Sequence, residues 1–269
     1  MSALTLTSAA ASRPLSAPEL MTGPSQAVAA RSVSRTRARA LKVGGMTPFS
    51  ATDYPGKLAA VVFVQGCPWA CGYCHNPHLQ TRSADSPQDW SQILARLRRR
   101  VGLIDAVVFS GGEPTIDPAL EDAMRDVRAL GFGVGLHTAG TYPRRLAEVL
   151  PLVDWVGIDV KASFDHYDAI TGITDSGRHA LASAELVLAS GVLHEFRTTI
   201  HPDLHAEADI LALAVRLSAM GVKRYALQQF RAIGCAHADL QRPAVADYPG
   251  APVLTQLGAL FAEFTLRRS

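Results

Sequence analysis

Apolar runs and helical stripes alternate along most of this chain. Short runs rich in β-branched and aromatic residues fall at 58–64, 106–110, 133–137, 155–160, 195–200 and 225–230, and read as strands. Helical spacing fills the gaps. Trp90, Ile93, Leu94, Leu97 and Val101 recur on one helical face. Ser86 is expected to cap this helix with Pro87 in its first turn, Asp89 lies three residues after Ser86, and Gly102 closes the stripe. The next segment repeats the pattern. Asp117 caps, Pro118 opens, Leu120, Ala123, Met124, Val127 and Leu130 form the stripe, and Gly131 ends it. Weaker helical patterns lie near 142–150, 178–190, 205–220 and 252–266.

Six strand–helix units predict a parallel sheet with right-handed crossovers. Six is short of the eight that close a TIM barrel. The expected fold class is therefore α/β, an open or partial (β/α)6 barrel, with a doubly wound sheet as the alternative. Strand parity then sorts the side chains. Val156, Ile158 and Val160 share the face suited to helices, so Gly157, Asp159 and Lys161 point into the lumen. The same parity sends Gly133, Gly135 and His137 inward, and sets Glu195, Arg197 and Thr199 apart from Phe196, Thr198 and Ile200. Polar groups thus converge near the C-terminal ends of the strands, where parallel α/β folds place their sites.

Composition narrows the possibilities. The 269 residues carry a net charge of +2 and are 48% hydrophobic, enough for a sizeable core without a bias toward nucleic acid. Arg96, Arg98, Arg99 and Arg100 read as a solvated helix face. No apolar run approaches the ~18 residues of a membrane helix. Residues 1–40 differ from the rest, being rich in Ala, Ser, Pro and Arg. They are expected to be a disordered extension, with residues 41–269 as the folded domain.

Three of the four cysteines lie in Cys67-Pro68-Trp69-Ala70-Cys71-Gly72-Tyr73-Cys74, directly after the first predicted strand. An odd, tight cluster is not a disulfide framework, and a reducing, cytoplasmic setting follows. A closed structural metal site asks for four ligands. Three on a 4Fe–4S cube leave one iron open. The competing reading is a zinc-binding interaction module completed by His75. Ser110-Gly111-Gly112-Glu113-Pro114 follows the second strand, and its glycines let the backbone approach a ligand. Cys235 stands apart and reads as structural, as do His75 and His78.

C-x3-C-x2-C with an aromatic before the last cysteine, followed by Gly-Gly-Glu-Pro at the next strand end, resembles the radical S-adenosylmethionine superfamily. Tyr73-Cys74-His75-Asn76-Pro77 and Asp159-Val160-Lys161 resemble its activating enzymes for glycyl-radical enzymes. Pro48-Phe49-Ser50, Asp53-Tyr54-Pro55-Gly56-Lys57, Phe196-Arg197-Thr198-Thr199 and Leu227-Gln228-Gln229-Phe230 look most like the anaerobic ribonucleoside-triphosphate reductase activating branch.

The resemblance implies a partial barrel, one 4Fe–4S cluster on Cys67, Cys71 and Cys74, and S-adenosylmethionine on the open iron. It implies cleavage to a 5′-deoxyadenosyl radical that takes a hydrogen atom from a glycine of a partner enzyme. It also implies an electron donor such as flavodoxin or ferredoxin. Gly111, Gly112 and Glu113 would hold the methionyl ammonium, and Tyr73 would meet adenine. Asp159, Lys161 and Arg197 would complete the cofactor contacts, with Lys161 on the carboxylate. Relatives commonly have Asp-Thr-Asn-Gly where this chain has His137-Thr138-Ala139-Gly140. Thr138 and Gly140 are kept, and His137 either contacts the cofactor or fills the lumen. The alternative function is a radical enzyme acting on a small molecule.

Overall fold

The structure is a computed structural model, and it describes residues 40–235, 237–240 and 247–268. The expected extension over residues 1–40 thus lies, but for Ala40, outside the described residues.

Eight strands form one sheet in chain order: β1 Val43–Ser50, β2 Ala59–Val64, β3 Ala106–Gly111, β4 Gly133–Thr138, β5 Trp155–Asp159, β6 Leu193–Ile200, β7 Arg224–Gln229 and β8 Glu263–Arg267. β1 runs antiparallel to β2, and every later pair is parallel. The helices are α1 Trp90–Arg98, α2 Leu120–Ala129, α3 Pro143–Val149, α4 Tyr167–Thr171, α5 Ser176–Ser190, α6 Glu207–Ala219 and α7 Ala251–Leu260. The six strands expected from the apolar runs are β2 to β7. With β1 and β8 as its two ends, the sheet stays open.

Four local expectations are corrected. The 252–266 pattern is not one helix: α7 stops at Leu260, Phe261 turns extended, and Glu263–Arg267 pairs with β7. Phe261 and Phe264 pack on Tyr225, with ring centroids 4.7 and 6.3 Å away, and that aromatic anchor favours an extended chain there. Ser86 does not cap α1. Its hydroxyl accepts from Val43 N at 2.9 Å, while Asp89 caps, accepting from Ser91 N at 2.7 Å. α1 also ends at Arg98, leaving Val101 outside the stripe and 55% exposed.

Asp117 is not the cap of α2 either, since Ala119 takes that position, but it is a tie between segments. Fully buried, its carboxylate accepts from Ala119 N and Lys42 N, both at 2.9 Å, and pairs with Arg82 at 2.7 Å. It thus ties the start of β1 and the segment after the cysteines to the start of α2.

The larger core lies between the outer face of the sheet and the helices. A smaller one fills the lower lumen with Tyr54, Ala59, Val61, Ala106, Val108 and Trp155. Tyr54, from the loop after β1, stacks on Trp155 at 5.1 Å. This plug closes the N-terminal half of the barrel and leaves only the C-terminal half for a ligand. Gly135 makes room for it, because a Cβ there would stand 2.9 Å from Val108 Cγ2 and 3.2 Å from Tyr54 Cδ1. Gly135→Ala is therefore expected to cost about 1–3 kcal/mol by overpacking, read as a lower thermal midpoint.

Candidate active site

The cysteine segment leaves β2 through Gly66, whose φ of 102° suits only glycine. Gly66 N donates to Leu79 O at 2.7 Å and Cys67 N to Gln80 O at 3.0 Å, pinning both limbs of the loop. The far side is held by α4, which the sequence pattern did not reveal. Ala70 N donates to Thr171 O at 2.9 Å, and Trp69 meets Tyr167 edge-on at 5.5 Å. The Tyr167 hydroxyl accepts from Lys161 N at 2.9 Å and donates to Asp159 O at 3.3 Å. One buried tyrosine thus joins the cysteine loop to the end of β5. Gly172, left-handed at φ 69° behind the helix, was its one legible sequence signal.

Cys67, Cys71 and Cys74 line one cavity at the mouth of the sheet, together with Gly111, Gly112, His137, Thr138, Asp159, Lys161 and Arg197. Among the described residues no three His, Cys, Asp or Glu converge on a point that would hold a single metal ion. A cube asks for a different arrangement, with each thiolate on its own iron. Burial pushes the Cys67 thiol up to about 12 and raises that of Cys71, so both are protonated without metal and lose their protons on ligation.

Lys161 is the cation of this cavity. Burial works against its charge, but Tyr73, Cys71 and Asp159 outweigh it and hold the ammonium charged well above the usual lysine range. Its Nζ lies 5.5 Å from the centre of the Tyr73 ring, and takes no hydrogen bond among the described residues. Tyr73 is itself buried with its hydroxyl unpartnered among the described residues. Burial likewise lifts the Asp159 carboxyl, yet Arg197, Lys161 and His137 bring it below the ordinary carboxylate range. Arg197 Nε donates to Asp159 Oδ1 at 2.8 Å. Gly157 gives it room, because a Cβ there would be 2.7 Å from an Arg197 guanidinium nitrogen. An ammonium without a hydrogen bond among the described residues and an ionised carboxylate, beside three thiols, suit an amino acid's zwitterionic end.

Glu113 stands elsewhere than the sequence suggests. It is fully buried and absent from the cavity wall. Oε1 accepts from Thr115 N at 3.1 Å, Thr115 Oγ1 at 2.6 Å and Thr138 Oγ1 at 2.8 Å, and Oε2 accepts from Ala139 N at 2.9 Å. Four donors occupy the carboxylate, so it locks the ends of β3 and β4 together. What this corner offers a ligand is the backbone of Gly111 and Gly112. Those glycines are also steric necessities: a Cβ on Gly111 would lie 2.4 Å from Val64 N and O, and one on Gly112 would lie 2.4 Å from Gly66 O.

His137 is a tether. Nε2 lies 2.8 Å from Asp53 O, and Nδ1 lies 3.2 Å from Ser110 Oγ. A carbonyl only accepts, so Nε2 carries the proton and Nδ1 takes the serine hydroxyl. The ring meets Trp155 edge-on at 5.6 Å. Burial, aided by Arg197, lowers its pKa from 6.5 to about 4. Between those values the unfolded chain binds a proton that the folded chain refuses, so this group makes stability fall as pH drops from 6.5 toward 4. His137→Asn keeps a donor and an acceptor, and should flatten that stretch of the stability–pH curve. Denaturation midpoints at about pH 7 and about pH 4.5 check it, and an unchanged pH dependence would contradict the assignment.

The remaining residues fall outside the ligand set. His75 stacks on Phe230 at 5.3 Å with Nε2 on Arg231 O at 2.9 Å, and His78 is exposed. Cys235 is buried under the loop, its Sγ 3.5 Å from Gly72 O. His205, which sequence reasoning passed over, supports the site by bonding Lys161 O through Nε2 at 2.8 Å.

An open parallel α/β sheet, with three cysteines in C-x3-C-x2-C after its first parallel strand and a fixed ammonium across the cavity, defines the class of enzymes that hold a 4Fe–4S cluster and S-adenosylmethionine. The sequence comparison agrees: the family described as the Radical SAM superfamily matches residues 61–214, and the chain belongs to it. Members use that cluster and S-adenosylmethionine as cofactors. A Methanocaldococcus jannaschii protein named as a glycyl-radical enzyme activating enzyme is 34% identical over 197 residues, covering 70% of this chain and 79% of that one. The pyruvate formate-lyase-activating enzyme of Clostridium pasteurianum is 31% identical over 137 residues, 49% of this chain and 57% of that enzyme. Among solved structures, SuiB of Streptococcus suis with its precursor peptide SuiA superposes with a TM-score of 0.60 at 13% identity. That alignment covers 77% of this chain and 48% of SuiB, and it speaks for the fold alone. No helix among the described residues is long and apolar enough to cross a membrane.

Proposed function

We propose that this chain is an activating enzyme that reductively cleaves S-adenosylmethionine and generates a glycyl radical on a partner enzyme, with anaerobic ribonucleoside-triphosphate reductase as the partner. The observation that carries the reading is the set of three cysteines facing Lys161 and Asp159 across one cavity, in a chain 34% identical to a protein named for this activation. The segments 48–50, 53–57, 196–199 and 227–230 support the reductase branch. The setting is the anaerobic cytoplasm, and the electron comes from a small carrier such as flavodoxin or ferredoxin.

Cys67, Cys71 and Cys74 hold the 4Fe–4S cluster, and Lys161 meets the carboxylate of S-adenosylmethionine as a permanently charged donor. Gly111 and Gly112 present backbone to its methionyl ammonium, while Asp159, oriented by Arg197, adds the negative charge. Thr138 lines this corner with its hydroxyl fixed on Glu113, and Tyr73 offers a buried ring. His137 keeps its ring at the cavity wall through Asp53 and Ser110. When bound and reduced, the cluster supplies the electron that breaks the carbon–sulfur bond. The protein contributes fixed charges and a cavity mouth packed with Trp69 and Tyr73, which limits water at the reacting carbon.

A small-molecule substrate would call for a closed chamber. Here the cavity runs on to the unpaired ends of the sheet, as a protein segment requires. Mixing the reduced holoenzyme and S-adenosylmethionine with a candidate reductase should give the electron paramagnetic resonance signal of a glycyl radical. Cleavage without any radical on the reductase would remove that partner.

A further inference from the structure

The pairing of β5 with β6 stops at Asp159, short of Lys161. Val160 still reaches β6: its N donates to Arg197 O at 2.8 Å, and its O accepts from Thr198 Oγ1 at 2.7 Å. Lys161 has left the ladder, and its N–H and C=O go to two side chains instead. The Tyr167 hydroxyl accepts the N–H at 2.9 Å, and His205 Nε2 donates to the C=O at 2.8 Å. Both side chains are buried. The backbone that carries the ammonium is therefore aimed by groups outside the sheet.

His205 is itself held from several directions. Its Nδ1 accepts from His201 N at 3.3 Å, so the amide on one side and the carbonyl on the other demand one neutral tautomer, with the proton on Nε2. Its backbone N donates to His201 O at 2.9 Å and closes the turn after β6. Its backbone O accepts from the Tyr248 hydroxyl at 2.6 Å. The ring also stands 6.3 Å from the ring of Tyr73, over which Lys161 Nζ lies at 5.5 Å. One imidazole thus bonds the Lys161 backbone and backs the ring beside its ammonium. A long side chain fixed before the ligand arrives loses less freedom on binding, and the difference is affinity.

We propose that His205 is a positioning residue: through Lys161 it sets how tightly the cavity holds the carboxylate of its ligand. The proposal rests on the S-adenosylmethionine reading of the cavity. It adds a residue outside the cavity wall on which binding depends.

Two substitutions separate the two bonds of the ring. In His205→Gln the amide nitrogen sits at the ε position and reaches Lys161 O, while the bond to His201 N is lost. In His205→Asn the amide oxygen sits at the δ position and keeps His201 N, but the side chain is too short for Lys161. Equilibrium dialysis of S-adenosylmethionine against the full chain carrying its cluster reads the effect. His205→Asn should weaken binding about tenfold, and His205→Gln should recover most of that loss. In a Lys161→Met background the asparagine change should cost less than about twofold, because the group it positions is gone.

Each variant gives up one bond, so a general loosening of the fold would weaken both alike. Equal binding by the two variants, tighter binding by His205→Asn than by His205→Gln, or the same loss with and without Lys161 would overturn the proposal. Failure of the parent, with its cluster in place, to bind S-adenosylmethionine would instead overturn the reading of the cavity on which it rests.

Discussion

Replacing any one of Cys67, Cys71 or Cys74 with alanine is expected to abolish 5′-deoxyadenosine formation. Two thiolates cannot hold a cube that needs three, and none of the nearby groups substitutes. His75 is committed to Phe230 and the Arg231 carbonyl, and His78 is exposed. Cys235 is directed at the Gly72 carbonyl rather than the cavity. Iron and sulfide in the reconstituted variants should fall in parallel with product. The three positions are only partly buried, so the fold should survive the change. Cys235→Ala supplies the contrast and should retain its iron. A Cys67, Cys71 or Cys74 variant that cleaved S-adenosylmethionine at the parent rate would remove that residue from the ligand set.

Glu113→Ala is expected to be the most damaging single change outside the cysteines. It strands Thr115 N and Ala139 N and frees the Thr115 and Thr138 hydroxyls, with Thr115 and Thr138 buried and Ala139 half-buried at the cavity wall. Leaving buried donors unmade costs about 1–3 kcal/mol each, and the rotatable hydroxyls recover part of it, so a loss of about 3–5 kcal/mol is expected. Denaturant unfolding of the full chain measures it. S-adenosylmethionine affinity should fall as well, because Thr138 and Ala139, which line the cavity, are held by this carboxylate. Glu113→Gln keeps an acceptor for the threonines but sets an amide donor near Ala139 N, and should fall between alanine and the parent. A direct salt link from Glu113 to the ammonium would give another pattern, with ligand binding lost and stability unchanged.

Much of the fold was legible because parallel strands buried on both faces announce themselves as apolar runs. β2 to β7 fall where those runs are, and strand parity sent His137, Asp159, Arg197 and Thr199 inward, where the cavity has them. β1 escaped because two glycines and a proline in Val43–Ser50 read as a turn, and an antiparallel end strand tolerates them. β8 escaped because a helical stripe runs straight into it, and only the packing of Phe261 and Phe264 on Tyr225 decides where the helix stops.

The site divides along the same line. The cysteines carry their chemistry in their spacing, and Lys161 and Asp159 in their parity. Glu113 misled because a motif names a residue without saying which way its side chain turns, and burial turned this one inward onto Thr115, Thr138 and Ala139. Tyr167, Asp117 and His205 act across long stretches of chain, on Trp69, Lys42 and Lys161, and no local pattern announces such links.

In the proposed function Cys67, Cys71 and Cys74 carry a cluster that cleaves S-adenosylmethionine in this cavity. The most direct test is the yield of 5′-deoxyadenosine from anaerobically reconstituted full-length protein given S-adenosylmethionine and a strong reductant. 5′-Deoxyadenosine and methionine are expected in equal amounts, dependent on iron, sulfide and reductant. Folded protein bearing a full 4Fe–4S cluster that released no 5′-deoxyadenosine under reduction would contradict it.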